Sequence, residues 1–298
     1  MIVNHIQRPL LILHGKKNVT TFKVVPTLGI KHYNMKKYIV SILFGYLLLA
    51  GIHSNAQSAP AKSFRLIAHR GGIVDSTTDQ NSLQALTKAI AKGYWMVEID
   101  MRMTKDSVLV THHDKTFKNS FGLDSAVSSM TWQNISKLRN ANGYRVLKLE
   151  EVLQQCKGKL GVMIDNKLSG NDTAVWMQLI SLLKKYDLYS NALMIGTDES
   201  TEFFTGKIRL SCTRQQLEDN MRRDDYKSSS YYLFSDKISK DDNDWAGSHN
   251  ILVIGVINAW AFHGSETTSL ATAQAERLKA AGVKHFQIDS QYASLFVH

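Results

Sequence analysis

"VEIDMRMTKDSVLVTHHD", residues 97–114, sets an acid pair at one end of an apolar run and a histidine pair at the other. Two alternating runs around the polar break Lys105-Asp106-Ser107 read as a β-hairpin, because so short a connection permits only antiparallel pairing. The histidines therefore return towards Glu98 and Asp100. A two-residue loop at Asp106-Ser107 sets His113 opposite Asp100, and one at Lys105-Asp106 sets it opposite Glu98. Either way His113 shares a face with an acid, since directly opposed residues do. A three-residue loop breaks that match.

The 298-residue chain is 44% hydrophobic and 21% charged, enough to bury a full core. Its net charge of +10 points at first to a nucleic-acid or anionic-membrane partner. From Met35, however, the chain reads "MKKYIVSILFGYLLLAGIHSNAQS", with two lysines, an apolar run and then Ser54-Asn55-Ala56. That order is expected of a secretory signal over residues 35–56, cleaved after Ala56, with residues 1–34 an upstream extension. Residues 1–56 carry seven basic and no acidic residues, so removing them leaves 36 − 7 = 29 basic against 26 acidic, about +3. No basic stripe remains, and the reading excludes nucleic acid as a partner. The apolar run falls short of the roughly 20 residues that span a bilayer, so no stable membrane span is expected after cleavage. The protein is expected to be exported, periplasmic or secreted. The two cysteines, Cys156 and Cys212, fall in predicted buried elements and read as core thiols.

From residue 57 to residue 298, one domain is expected. Short β-rich runs recur at Phe64–Ala68, Met96–Asp100, Leu160–Asp165, Ala192–Gly196, Ile208–Cys212, Tyr231–Phe234, Ile251–Ile257 and His285–Asp289. Helical patterns intervene at Ser82–Ala91, Leu149–Gln155, Val175–Tyr186 and Leu270–Ala281, while the crossovers at 197–207 and 213–230 are weakly helical. Eight strands with crossovers fit a (β/α)8 TIM barrel with an extra β-hairpin arm after the second strand, of typical size about 250 residues. An open doubly wound sheet ordinarily uses fewer strands for this length.

In such a barrel the chemistry sits at the C-terminal strand ends. Glu98 and Asp100 alternate onto one face, and Asp165 approaches from the next strand. Three carboxylates repel and raise one another's pKa unless a cation intervenes, and all-oxygen ligation favours Mg2+ or Ca2+. Arg70 offers a planar fork and Lys167 a point charge for phosphate oxygens. His69 and His113 come from different parts of the rim, suited to sharing acid and base duty in cleaving a P–O bond. His112 faces the other way.

These residues resemble the glycerophosphodiester phosphodiesterase family through most of residues 64–292. "LIAHRGG" (66–72) is similar to its His-Arg-Gly opening, "VEIDMRMTKDSVLVTHHD" to its Glu-x-Asp hairpin, "VLKLEEVL" (146–153) to its approach helix, "MIDNK" (163–167) to its Glu-x-Lys strand and "GVKHFQIDS" (282–290) to its closing segment. The resemblance implies a TIM-barrel phosphoric diester hydrolase with metal ligands at Glu98, Asp100 and Asp165, catalytic histidines at His69 and His113, and phosphate contacts from Arg70 and Lys167. It also implies cleavage of glycerophosphodiesters to glycerol 3-phosphate and an alcohol. Two departures stand out: "TTDQNS" places Gln80 where the family usually has glutamate, and Asp165 replaces the commoner glutamate. The alternatives are a lysophospholipase D acting on a lysolipid, with Phe203, Phe204, Trp260 and Phe262 lining an apolar groove, and a non-catalytic phosphate-binding relative.

Overall fold

The computed structural model describes residues 63–264 and 266–296. The expected extension (1–34) and signal (35–56) lie outside the described residues. In chain order the strands are β1 (Arg65–Ala68), β2 (Met96–Met103), β3 (Leu109–Thr111), β4 (Thr116–Phe117), β5 (Leu123–Ala126), β6 (Leu147–Lys148), β7 (Gly161–Asn166), β8 (Leu193–Ile195), β9 (Arg209–Cys212), β10 (Tyr231–Ser235), β11 (Leu252–Ile257) and β12 (His285–Ile288). Strands β1, β2 and β7 to β12 run parallel, and β1 pairs with both β12 and β2, which closes an eight-stranded barrel. The arm is β3 and β6, antiparallel on the edge of β2, and β4–β5 form a separate hairpin within the same insertion.

The helices follow their caps. Ser82 accepts from Ala85 N–H to start Leu83–Ala91, and Asp172 accepts from Ala174 and Val175 N–H to start Thr173–Lys185. The weak crossovers contain short helices, Asp198–Phe204 and Arg214–Asn220, begun by capping boxes at Thr197 and Thr213. The chain closes on a 3-10 turn at Ser290–Phe296 where no full helix was expected. Cys156 and Cys212 are both free and buried.

Alternate residues of the strands fill the barrel. Ile67, Met96, Met163, Leu193, Tyr232 and Ile254 make a closed apolar plug beneath the catalytic rim. Gly161 is required there, since a Cβ on it would lie 2.8 Å from the Met96 side chain. The opposite faces pack on the surrounding helices, with Trp176 and Phe204 in tilted ring contact, centroids 5.3 Å apart, in that outer layer.

The hairpin departs from expectation. Met101 pairs with Thr111 and Met103 with Leu109, and Thr104 N–H donates to Val108 O at 3.0 Å, so the loop is the three residues Lys105, Asp106 and Ser107. His112, not His113, therefore comes opposite Asp100, its N–H donating to Asp100 O at 3.1 Å. The turn itself and one distant contact explain it: Ser107 adopts a left-handed φ of 60°, and Asp106 is pinned by Thr104 Oγ1 at 2.6 Å and Trp132 N–H at 2.8 Å. His112 turns into the insertion, buried against Phe117, with Nε2 3.1 Å from Thr116 O. His113 reaches the rim by another route, because β3 stops at Thr111 and the chain bends out of the ladder.

At the start of β12, the His285 ring packs tilted against Trp95, centroids 4.9 Å apart. Burial, with the neighbouring Arg65, depresses its pKa to about 4. The unfolded chain, protonating near 6.5, then binds more protons than the folded one between those values, so stability falls as pH drops through that window. Denaturant unfolding at pH 7 and pH 4.5 should show an acid loss of roughly 1–2 kcal/mol in the wild type, after discounting for partial exposure, that His285→Gln lacks. Equal acid losses in the two proteins would refute this.

Candidate active site

The acid cluster is a consequence of register. Glu98 and Asp100 are two apart on β2, so they share the inward face, and parallel pairing sets Asp165 of β7 beside Asp100. One oxygen from each lies within 4.8 Å of the others. Glu98 and Asp100 are fully buried. Burial, reinforced by the charges of Asp100 and Asp165, pushes the Glu98 pKa well above the usual carboxylate range. Burial also raises that of Asp165, against the pull of Lys167. Lys167 Nζ lies 2.6 Å from Asp165 Oδ2 and 3.5 Å from Asp100 Oδ1. One ammonium thus faces three acids.

Two buried oxygens, Glu98 Oε1 and Asp100 Oδ1, accept no hydrogen bond from the described residues. Their partner oxygens are fixed from outside: Glu98 Oε2 accepts from Arg70 N–H at 2.6 Å, and Asp100 Oδ2 accepts from Asn81 Nδ2 at 3.0 Å. An orphaned carboxylate oxygen in a dry site is costly, and an all-oxygen set aimed at one point fits a hard divalent cation. Glu98, Asp100 and Asp165 would hold it.

Around the cluster stand two histidines, each fastened by a carboxylate. His69 directly follows β1, and its Nδ1 lies 2.7 Å from Asp289 Oδ1, while its Nε2 faces Glu98 Oε2 at 3.9 Å. Asp289 also accepts from Ala259 N–H at 2.6 Å. Burial works to raise the Asp289 pKa, but the bonds from His69 and Ala259 and the charge of Arg70 hold it below the ordinary value. His113 Nδ1 lies 2.7 Å from Asp114 Oδ1, and that bond keeps Asp114 low as well. Both histidines thus turn Nε2 away from their own carboxylates.

Arg70 links the two sides. Its Nη2 lies 3.5 Å from His113 Nε2, and its Nη1 donates to Gln80 Oε1 at 2.9 Å. Its backbone takes a left-handed φ of 53° to aim its N–H at Glu98. Gly71 and Gly72 make that turn possible by packing: a Cβ on Gly72 would lie 2.2 Å from the Ala85 carbonyl carbon, and one on Gly71 would lie 2.7 Å from Asn81 Cα. The glycine pair seats the first helix and the Gln80-Asn81 loop against β1.

All seven residues expected from the sequence, His69, Arg70, Glu98, Asp100, His113, Asp165 and Lys167, gather at this rim. Four supporting groups had no role assigned: Asp289, Asp114, Asn81 and Arg102. Arg102 holds the bend of the hairpin, donating from Nη2 to His113 O at 2.7 Å and from Nη1 to Lys167 O at 3.3 Å. Its place two residues after Asp100 on the same face was the available signal. The aromatic groove does not form as a unit: Phe204 and Phe262 are buried, Phe203 packs on the core, and Trp260 alone of the four is exposed, at 61%. A hollow of about 450 Å³ lies beside it, lined by His69, Arg70, Gln80, Trp260 and Asp289.

Known proteins share this fold. The model of the "Glycerophosphoryl diester phosphodiesterase family" matches residues 69–284. Lysophospholipase D GDPD3 of Homo sapiens is 23% identical over 188 residues, 59% of this chain and 57% of that protein. Glycerophosphodiester phosphodiesterase 1 of Mus musculus is 27% identical over 146 residues, 45% of this chain and 43% of that one. The chain thus spans about half the length of these curated relatives. A glycerophosphoryl diester phosphodiesterase structure from Parabacteroides distasonis superposes with a TM-score of 0.61 at 21% identity, covering 81% of this chain and 90% of that one. An Oleispira antarctica phosphodiesterase, solved with sn-glycerol-3-phosphate, gives 0.60 at 16% identity, covering 78% and 96%.

Metal binding at the acid cluster is directly measurable. Millimolar Mg2+ or Ca2+ added to chelator-treated protein should raise Tm, by mass action up to about 2.7 kcal/mol at one hundred times Kd. The gain should shrink as pH falls, because Glu98, with its raised pKa, takes a proton in competition with the cation. Asp100→Asn should abolish it. An unchanged gain in that variant would rule the cluster out as the cation site.

Proposed function

The chain belongs to the glycerophosphoryl diester phosphodiesterase family, and from that premise we propose that it hydrolyses glycerophosphodiesters to glycerol 3-phosphate and an alcohol. The observation that carries the reading is the pair of carboxylate-fastened histidines, His69 on Asp289 and His113 on Asp114, on either side of Arg70 and the acid cluster. A carboxylate at Nδ1 fixes the tautomer and steadies the protonated ring, leaving Nε2 to exchange a proton.

In this reading Arg70 and Lys167 bind the phosphate oxygens, drawing the diester against the rim. One histidine takes a proton at Nε2 from the attacking water while the other gives a proton from Nε2 to the leaving alcohol oxygen. The new P–O bond forms as the bond to the alcohol breaks, and the proton lost by the nucleophile is matched by the one gained by the leaving group. A divalent cation, Mg2+ or Ca2+, held by Glu98, Asp100 and Asp165, supplies charge stabilisation for the phosphate when bound. The buried Glu98–Arg70 N–H bond keeps the backbone before Gly71 fixed, so the guanidinium is presented without reorganisation.

A second reading is lysophospholipase D activity of the same site, favoured by exposed Trp260 beside His69 and by the similarity to the human lysophospholipase D. Incubation of the protein with glycerophosphodiesters and lysolipids, followed by product identification, separates the two. Export remains part of the proposal, resting on the Met35 segment, and N-terminal sequencing of the exported protein tests it.

Single His69→Ala and His113→Ala variants should each lose at least about 10²-fold in kcat, the usual contribution of a general acid or base, while still binding the divalent cation. Asp289→Asn should lose less, since it leaves the His69 ring in place but removes its fixed charge. His112→Ala should lower stability through lost packing and leave kcat within a few-fold. A wild-type kcat in either the His69 or the His113 variant would remove the proposed roles.

A further inference from the structure

The bond between Gln80 and Arg70 leaves one end of an amide unused. Arginine only donates, so its bond to Gln80 at 2.9 Å fixes that end as oxygen and the other as Nε2. Nε2 carries two N–H donors, and no other hydrogen bond from this side chain is seen among the described residues. A glutamate at this position would present acceptors alone. Gln80 stands where two hollows meet, lining both the one beside His69 and Trp260 and a second of about 410 Å³ walled by the insertion that follows β3. That volume lies within the range of small-molecule sites, roughly 300–1,000 Å³.

The chemistry of the second cleft is that of amides and hydroxyls. Asp79, Asn119, Asn140, Asn142 and Tyr144 line it. Asp79 is not a bare anion, because Asn140 Nδ2 donates to it and Asn142 Nδ2 donates at 3.1 Å. Tyr144 OH donates to Thr77 O at 2.7 Å, tying the insertion to the loop that carries Gln80. Arg145 lines the same space with its guanidinium paired to Glu151, its Nη1 donating to Glu151 Oε1 at 3.1 Å, so it is the two amides on Asp79 that leave no bare anion for an ammonium group. Apolar surface from Val74, Phe121, Ala141 and Val146 lies between these polar groups, a mixed lining that suits the carbon skeleton of a polyol or sugar better than an acyl chain.

We infer that this cleft receives the alcohol half of the diester, and that the alcohol is rich in hydroxyls, a polyol or sugar rather than an amino alcohol or an acylated one, with Gln80 as the residue that reads it. The inference rests on the phosphodiesterase reading above. A phosphate held at Arg70 lies one side chain from the cleft, so its ester arm enters past Gln80 Nε2, which donates to a hydroxyl or to the ester oxygen. Asn142 and Asp79 offer mixed donors and acceptors further in, as vicinal hydroxyls require. Gln80→Glu keeps an acceptor for Arg70 but removes both donors and adds a charge.

Calorimetric titration of the His113→Ala protein in Mg2+, slow enough that the ligands survive, measures the preference without turnover. Glycerophosphoglycerol and glycerophosphoinositol should bind about tenfold tighter than glycerophosphocholine and lysophosphatidylcholine. Gln80→Glu on that background should cut polyol binding about three- to tenfold, the effect of a lost hydrogen bond, and improve that of the choline ligands. Asn142→Ala, which leaves the Gln80–Arg70 bond untouched, should weaken the polyol ligands alone. Equal or tighter choline binding in the His113→Ala protein overturns the inference, as does a preference unmoved by both variants. Turnover by the wild type reports on the chemistry separately: hydrolysis without preference sinks the inference and spares the phosphodiesterase reading, and preference without hydrolysis does the reverse.

Discussion

Three carboxylates within 4.8 Å of one another at the top of a closed barrel are the constraint around which the rest of the molecule is arranged. Alternation along β2 and parallel register with β7 make their meeting unavoidable once the barrel closes. Carboxylates so placed destabilise the apo fold, because burial disfavours their charged forms and each raises the others' proton affinity. The nearby cationic groups answer that problem only in part. Lys167 is bound to Asp165, Arg102 spends its donors on the carbonyls of His113 and Lys167, and Arg70 offers Glu98 a backbone N–H while sending its guanidinium towards Gln80 and His113. The site is left short of positive charge at its centre, as a cation site must be.

The same arrangement explains why distant segments of chain converge with so little regular structure to carry them. The loop after β1, the hairpin end, the end of β7 and the segment after β12 are each tied to another by a polar bond: Arg70 N–H to Glu98, Arg102 to His113 O and Lys167 O, Asn81 to Asp100, His69 to Asp289. Below them the apolar plug from Ile67 to Ile254 keeps water out of the barrel, so these bonds act in a low dielectric where they are strong. Scaffold and site are therefore one object. Removal of a tie such as Asn81 would leave Asp100 with neither oxygen hydrogen-bonded, facing only the Lys167 ammonium at 3.5 Å.

Strand count, barrel closure and the gathering of His69, Arg70, Glu98, Asp100, His113, Asp165 and Lys167 were legible because they follow from period-two alternation and from chain order. The short helices after Thr197 and Thr213 showed only as weakly helical crossovers, since capping boxes rather than an apolar stripe start them. The hairpin register was misread for a related reason. Its loop length is set by the Asp106 bond to Trp132 N–H, twenty-six residues away in sequence, which no local pattern encodes. The assignment of His113 survives because its position depends on Arg102 and on the end of β3, not on ladder register. The β4–β5 hairpin and its small core around Phe117 and Ile135 were likewise invisible, being built from strands too short to show a period.

The insertion that went unread is also what makes the loop at residues 74–81 a fixed object rather than a free one. Asp79 is gripped by Asn140 and Asn142, Thr77 by Tyr144, and between them Gln80 meets Arg70. Had residue 80 been a glutamate, its charge would have bound the guanidinium more tightly and added a fourth acid near a centre already rich in them. A neutral amide spares the guanidinium's charge for the phosphate and lets the same side chain face the alcohol. A one-atom difference in functional group, amide nitrogen for carboxylate oxygen, thus shifts Arg70 from an ion-pair partner towards a ligand-binding cation. That shift is the physical link between the rim that gathers the histidines and the acids and the cleft beside it.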